Sequence, residues 1–289
     1  MKQISRRKFI YQATTGAGSL LALTTLPSFA YNNRPRTNPP IGFQVYTIKD
    51  MLVKDFAGTL KMMSTMGYQT VEMCSPSGYI GAGFEPLVKM KGSEMKKIIT
   101  DLNMKCESCH FTFGEMRTNL DERISFAKDL GLKHVVASSF WLNEKATLDD
   151  YKKSCDELNK MGEKIKAAGM QAGFHNHEME FHTLDGQLIY DAMMSRLDPS
   201  LVKMQFQTEV INLGFKAADY FRKYPGRFIS AHMSDWTADK KQAPIGKGVI
   251  DWAEFYAAAK VGGVENYFVE MDYQTYKDSS DYLHKLLKA

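Results

Sequence analysis

Two histidines stand two residues apart in the run Phe174-His175-Asn176-His177-Glu178. The apolar stretch from Met170 to Phe174 enters this run like a strand, and alternate side chains of a strand share a face. Two imidazoles on one face at a strand end could hold a divalent ion or move a proton. The plain alternative is a pair of half-exposed histidines at a turn. Other polar residues repeat the two-residue spacing: Gln44 with Tyr46, Ser108 with His110, Gln205 with Gln207 and Glu209, His232 with Ser234, and Glu270 with Asp272. Glu72 closes a further apolar run. Four of the seven histidines fall in this set, whereas scattered polar residues would favour no one end of the strands.

The elements that must carry these groups alternate. Apolar strands are expected to begin at Ile41, Tyr68, Met104, His134, Met170, Leu201, Phe228 and Tyr267. Helical spacing follows each of them: Val53 to Met66, Ser93 to Leu102, Leu120 to Leu130, Leu148 to Ala168, Gly186 to Arg196, Lys216 to Tyr224, Trp252 to Val261 and Tyr276 to Leu287. Glycines end several helices, as in Met66-Gly67-Tyr68 and Ala168-Gly169-Met170. Eight strand–helix repeats in roughly 250 residues predict an α/β protein with one (β/α)8 TIM barrel spanning residues 41–289. A doubly wound sheet also alternates, but the chain has neither a G-x-G-x-x-G run nor a P-loop. In such a barrel catalytic groups sit at the C-terminal ends of several strands, where the polar residues above fall.

The motifs resemble the xylose isomerase-like TIM-barrel superfamily, often labelled sugar phosphate isomerase/epimerase. The resemblance covers nearly all of residues 41–289. It rests on Ile41-Gly42-Phe43-Gln44-Val45-Tyr46, on Gly67 to Glu72, on Phe174 to Phe181, on Arg227 to Asp235, on Gly246 to Trp252 and on Phe268 to Asp272. It implies a divalent metal held at His175, Gln207, His232 and Glu270. Gln207 stands where an Asp is usual, and a neutral amide is the weaker ligand. The metal is then held by His175, His232 and Glu270 alone, or Glu209 contributes, or the metal is lost; the first is favoured. Two imidazoles and a carboxylate suit Mn, Zn, Co or Fe better than Mg.

Such a site polarises a carbonyl and stabilises an enediolate while a base removes the neighbouring proton. His177 is the preferred base. Glu72 and His110 are alternatives or substrate contacts. Gln44, Tyr46 and Gln205 are expected to touch substrate. Trp141 and Trp236, after the fourth and seventh strands, could stack on a sugar ring or simply fill their loops. Lys247 could meet an anionic group or be a plain loop charge. Asp235 is expected to orient His232 or close its loop. Glu180 and His182 are expected at the surface.

The N-terminus carries Ser5-Arg6-Arg7-Lys8-Phe9-Ile10, a weakly apolar run from Gly16 to Leu26, and Ser28-Phe29-Ala30. This order predicts a twin-arginine signal peptide over residues 1–30, a linker over 31–40, and a periplasmic protein. Lys2, Arg6, Arg7 and Lys8 are the only charges in that segment, so of 37 basic residues 33 remain beside 33 acidic ones. Zero net charge gives no support to nucleic-acid binding, and no membrane contact is expected after cleavage. Of the four cysteines, Cys106 and Cys109 lie in one strand-like run, where three extended residues separate them by roughly 10 Å. That exceeds disulfide reach, so all four are expected free and mostly buried. The expected partner is a sugar, keto-sugar or glycoside, with a homo-oligomer possible. Isomerisation or epimerisation is the leading activity. A periplasmic lyase or hydratase acting on 3-keto-glycosides and a non-catalytic sugar-binding barrel are the alternatives.

Overall fold

The computed structural model describes residues 38–288. The signal peptide and most of the linker expected above lie outside them. Eight parallel strands close into one barrel in chain order. They are β1 (Ile41–Gln44), β2 (Thr70–Cys74), β3 (Lys105–Phe111), β4 (His134–Ala137), β5 (Gln171–His175), β6 (Val202–Gln207), β7 (Phe228–Met233) and β8 (Asn266–Val269). Nearly every strand residue is buried, as expected for a sheet covered by helices on one face and closed on itself on the other.

The outer layer is α1 (Phe56–Thr65), α2 (Gly92–Asp101), α3 (Phe113–Leu130), α4 (Leu148–Ala167), α5 (Ile189–Arg196), α6 (Ala217–Lys223), α7 (Trp252–Gly262) and α8 (Tyr276–Lys288). Their starts follow local chemistry. Asp55 caps α1 by accepting from the Gly58 N–H, so the helix begins three residues later than its apolar spacing predicts. Thr112 and Glu115 form a capping box that starts α3 at Phe113, well before the expected Leu120. The helix then kinks at Asn119, which leaves helical geometry at φ −137°. Before α5, Gly186 turns a small hairpin of Thr183–Leu184 with Gln187–Leu188, which delays the helix to Ile189.

Strand register places the polar ends side by side. Gln44 pairs with Glu72, Glu72 with Ser108, His175 with Gln205, and Gln207 with His232. Cys74, Cys106, Cys109 and Cys155 are all free and buried. No helix among the described residues is long and apolar enough to cross a membrane.

Candidate active site

The inside of the barrel carries a polar layer built around Glu72. Its carboxylate accepts from Ser108 Oγ at 2.5 Å and from Gln205 Nε2 at 2.7 Å, and it contacts His232 Nε2. His110 Nε2 lies 3.3 Å from it. Burial alone would raise the Glu72 carboxyl, but the His110 and His232 imidazoles, with the hydrogen bonds from His232 and Ser108, hold it down to about 2. His232 donates from its other nitrogen, Nδ1, to Glu270 Oε2 at 2.8 Å. Burial opposes its charge, yet Glu270 and Glu72 together carry it up to about 9. His232 is therefore an imidazolium held between two carboxylates.

Above this floor opens a cavity of about 310 Å³, lined by Gln44, Tyr46, Tyr79, His110, Ser138, Trp141, His175, His177 and Glu270. Among the described residues no lysine or arginine lines it, although Lys49 Nζ lies 4.6 Å over the ring of Tyr46. The β5 pair comes together as its spacing predicts: the His175 and His177 rings meet edge to face, with centroids 4.8 Å apart. His175 also lies 4.3 Å from the His232 ring and 4.9 Å from the His110 ring. Both imidazoles of this pair are held neutral. Burial, with His232 and His177 nearby, pushes His175 well below its ordinary value. Burial takes His177 down to about 4 against the attraction of Glu270. Glu270 accepts from Gln207 Nε2 at 2.9 Å, and His232 holds its carboxyl below the usual range although burial opposes this.

Metal-ligating atoms of His110, His175 and His232 lie within 4.8 Å of one another, so three buried histidines could hold a metal ion. His175 Nδ1 and Gln207 Oε1 are buried with no hydrogen-bond partner, and His177 Nδ1 is in the same state. Buried acceptors left unpaired are costly. Here the His175 ring lies against His232 and Gln207 bonds Glu270, an arrangement that a cation would complete. The residues present fit a divalent ion. This trio has His110 where the expected set has Glu270, although the His110 Nε2 is engaged by Gln205 at 2.5 Å.

Several sequence expectations need correction. Gln205 does not reach the cavity: it is fully buried and bonded to Glu72, Ser230 and His110. Glu72 is likewise a floor residue with no exposure. Trp236 is half-buried and donates to Ser234 Oγ, away from the cavity lining. Lys247 is exposed on a loop whose backbone is drawn inward by Asp235. Asp235 leaves His232 alone and closes that loop, accepting from the Gly246, Gly248 and Ile250 N–H groups and from Trp252 Nε1. A Cβ on Gly248 would fall 2.1 Å from the Asp235 carboxylate, so only glycine permits this approach. Glu180, expected at the surface, is completely buried. His182 is exposed as expected, and Glu209 does not line the cavity. Tyr79 and Ser138 escape sequence reasoning because they lie in irregular segments that no periodicity marks. Ser138 directly follows β4, and that position alone could have revealed it.

A parallel barrel with a histidine-rich, metal-capable pocket at the C-terminal ends of its strands defines an enzyme-like (β/α)8 site. The chain matches the family described as "Xylose isomerase-like TIM barrel" over residues 60–287 and belongs to it. A sugar phosphate isomerase/epimerase from Parabacteroides distasonis superposes with a TM-score of 0.72 at 22% identity, covering 89% of this chain and 97% of its own. A second one from that organism gives 0.70 at 26%, covering 86% and 98%. A protein called IOLI, solved with a bound zinc atom, gives 0.64 at 16% identity, covering 86% and 95%. No curated protein sequence matches the chain.

Proposed function

We propose that this protein is a metal-assisted isomerase or epimerase of an uncharged sugar, working by removal of a proton next to a carbonyl. The observation that carries the reading is the grouping of His175, His177 and Glu270 around one cavity, with His232 and Gln207 both bonded to Glu270. His175, His232 and Glu270 would hold a divalent ion, Mn, Zn, Co or Fe rather than Mg, with Gln207 Oε1 alongside. When bound, the ion supplies polarisation of a carbonyl oxygen.

His177 takes the proton. Burial keeps its imidazole neutral above about pH 4, and the residue lines the cavity. Glu72 holds the far nitrogen of His232 and so fixes the orientation of that ring. Gln44 and Tyr46 are placed to orient hydroxyls, and Trp141 offers an aromatic face to the ring. An uncharged substrate is also in keeping with the periplasmic location that the twin-arginine pattern predicts. The aromatic mouth of Tyr46, Tyr79 and Trp141 leaves room for a second reading: β-elimination of the aglycone from a keto-glycoside.

The test is incubation with aldoses, ketoses and 3-keto-glycosides in deuterated water. Deuterium next to the carbonyl without aglycone release is the expected result. Aglycone release would mark the lyase. Binding without either would leave a sugar-binding barrel. His177→Ala should lower exchange by about 10²–10⁴-fold while keeping the metal. Equal loss of exchange and metal would mean that His177 is a ligand.

A further inference from the structure

Glu180 is a carboxylate with no exposure, and no cation pairs with it among the described residues. Its two oxygens serve two different loops. Oε2 accepts from the His177 N–H at 2.7 Å, and Oε1 accepts from Ser139 Oγ at 3.2 Å. Ser139 Oγ in turn accepts from the Trp141 N–H at 3.3 Å. Trp141 sits at φ +48°, a left-handed conformation that a bulky residue adopts only when its surroundings impose it. The residue is 57% exposed, yet its ring lies 4.8 Å from the His177 ring. A free side chain at that exposure would roam. This one has its backbone tied, through one serine, to the group that also ties the histidine beneath it.

We propose that Glu180 is a positioning residue that clamps Trp141 against His177, so that base and aromatic wall form one rigid face of the cavity. A simpler role is available. Glu180 stands three residues after His177, so its carboxylate completes a capping box for the turn Glu178–Phe181. That role needs one oxygen and tolerates solvent. It does not require complete burial, which pushes the carboxyl up to about 7, or a second bond to the β4 loop. Local rules broken without a gain in stability are expected where function needs the geometry.

Ser139→Ala separates the two roles, because it cuts the link to Trp141 and leaves the cap intact. The readout is the anisotropy of Trp141 emission, obtained by subtracting the spectrum of Trp141→Phe; side-chain freedom on the ps–ns scale lowers it. The clamp predicts a fall in Ser139→Ala and in Glu180→Ala, and none in Glu180→Gln, whose amide can bond both loops. Substrate kinetics add a split and rest on the function proposed above. Ser139→Ala should raise KM by roughly tenfold, the scale of one hydrogen bond, with kcat nearly unchanged. Glu180→Ala should lower kcat as well, because His177 moves too. The anisotropy needs no substrate, so a protein that turns over no sugar still decides the clamp. Should Glu180→Ala fail to fold, Ser139→Ala carries the test by itself. Unchanged anisotropy in Ser139→Ala would overturn the proposal and leave Glu180 as a helix cap.

Discussion

The floor of the cavity and its rim each contain a fully buried glutamate, and the two are driven in opposite directions. Glu72 faces His110 and His232 and is held down to about 2. Glu180 faces only neutral donors and is pushed up to about 7. Burial is the same; the partners differ. A carboxylate with a cation beside it contributes to stability, whereas one with only N–H and O–H donors spends stability on geometry. The floor is thus a structural lock that orients His232, and the rim trades stability for placement.

The largest effect should come from breaking the lock. Glu72→Ala would leave the His232 imidazolium with one carboxylate and strip Ser108 and Gln205 of an acceptor. A loss of about 3–5 kcal/mol in urea unfolding is expected. The pH dependence follows from the same pair. Glu72 lies below its ordinary value, so its contribution is complete above about pH 4.5 and is lost as pH falls towards 2. His232 lies above its ordinary 6.5, so its contribution is complete below 6.5 and is lost as pH rises through about 9. Metal-free protein should keep both between those limits.

The rim should respond with the opposite sign. Because the folded value of Glu180 is raised, stability is present below about pH 4.5 and is lost as pH rises through 7. Glu180→Gln removes that loss. It should stabilise the protein at pH 8 by up to about 3 kcal/mol and have little effect at pH 4. Destabilisation at pH 8 would mean that the carboxylate has a cationic partner. The smallest effect is expected at Trp141. Its ring is largely exposed, so Trp141→Ala should change stability by no more than about 0.5 kcal/mol while weakening sugar binding.

This contrast also explains what the sequence could reveal. All eight strands and the histidine pair at 175 and 177 follow from apolar runs and the two-residue period, because strand faces are set locally. The starts of α1 and α3 differ from the apolar spacing because Asp55 and Thr112 cap by side-chain bonds that this spacing does not record. The depth of Glu72 and Gln205 below the cavity was not legible. Both belong to the barrel interior, and only strand register decides whether an inward group reaches the mouth or the floor. Glu180 was misplaced for a different reason. It follows the strand end, where polar residues are normally solvated, yet it is buried with its carboxylate bonded to Ser139 of the β4 loop. Its position three residues after His177 was the one available signal.

Metal binding should also carry a proton. His232 Nδ1 now donates to Glu270, so accepting an ion there requires loss of that hydrogen. Titration of zinc or manganese into chelator-treated protein, in buffers of different ionisation enthalpy, reads both stoichiometry and protons. It is the most direct test of the site as a whole when run on the native chain, His175→Ala and His177→Ala together. The expected result is one ion per chain with about one proton released in the native protein and in His177→Ala, and none in His175→Ala. No ion in the native protein, or equal loss in both variants, would contradict the assignment of ligand and base on which the proposed chemistry stands.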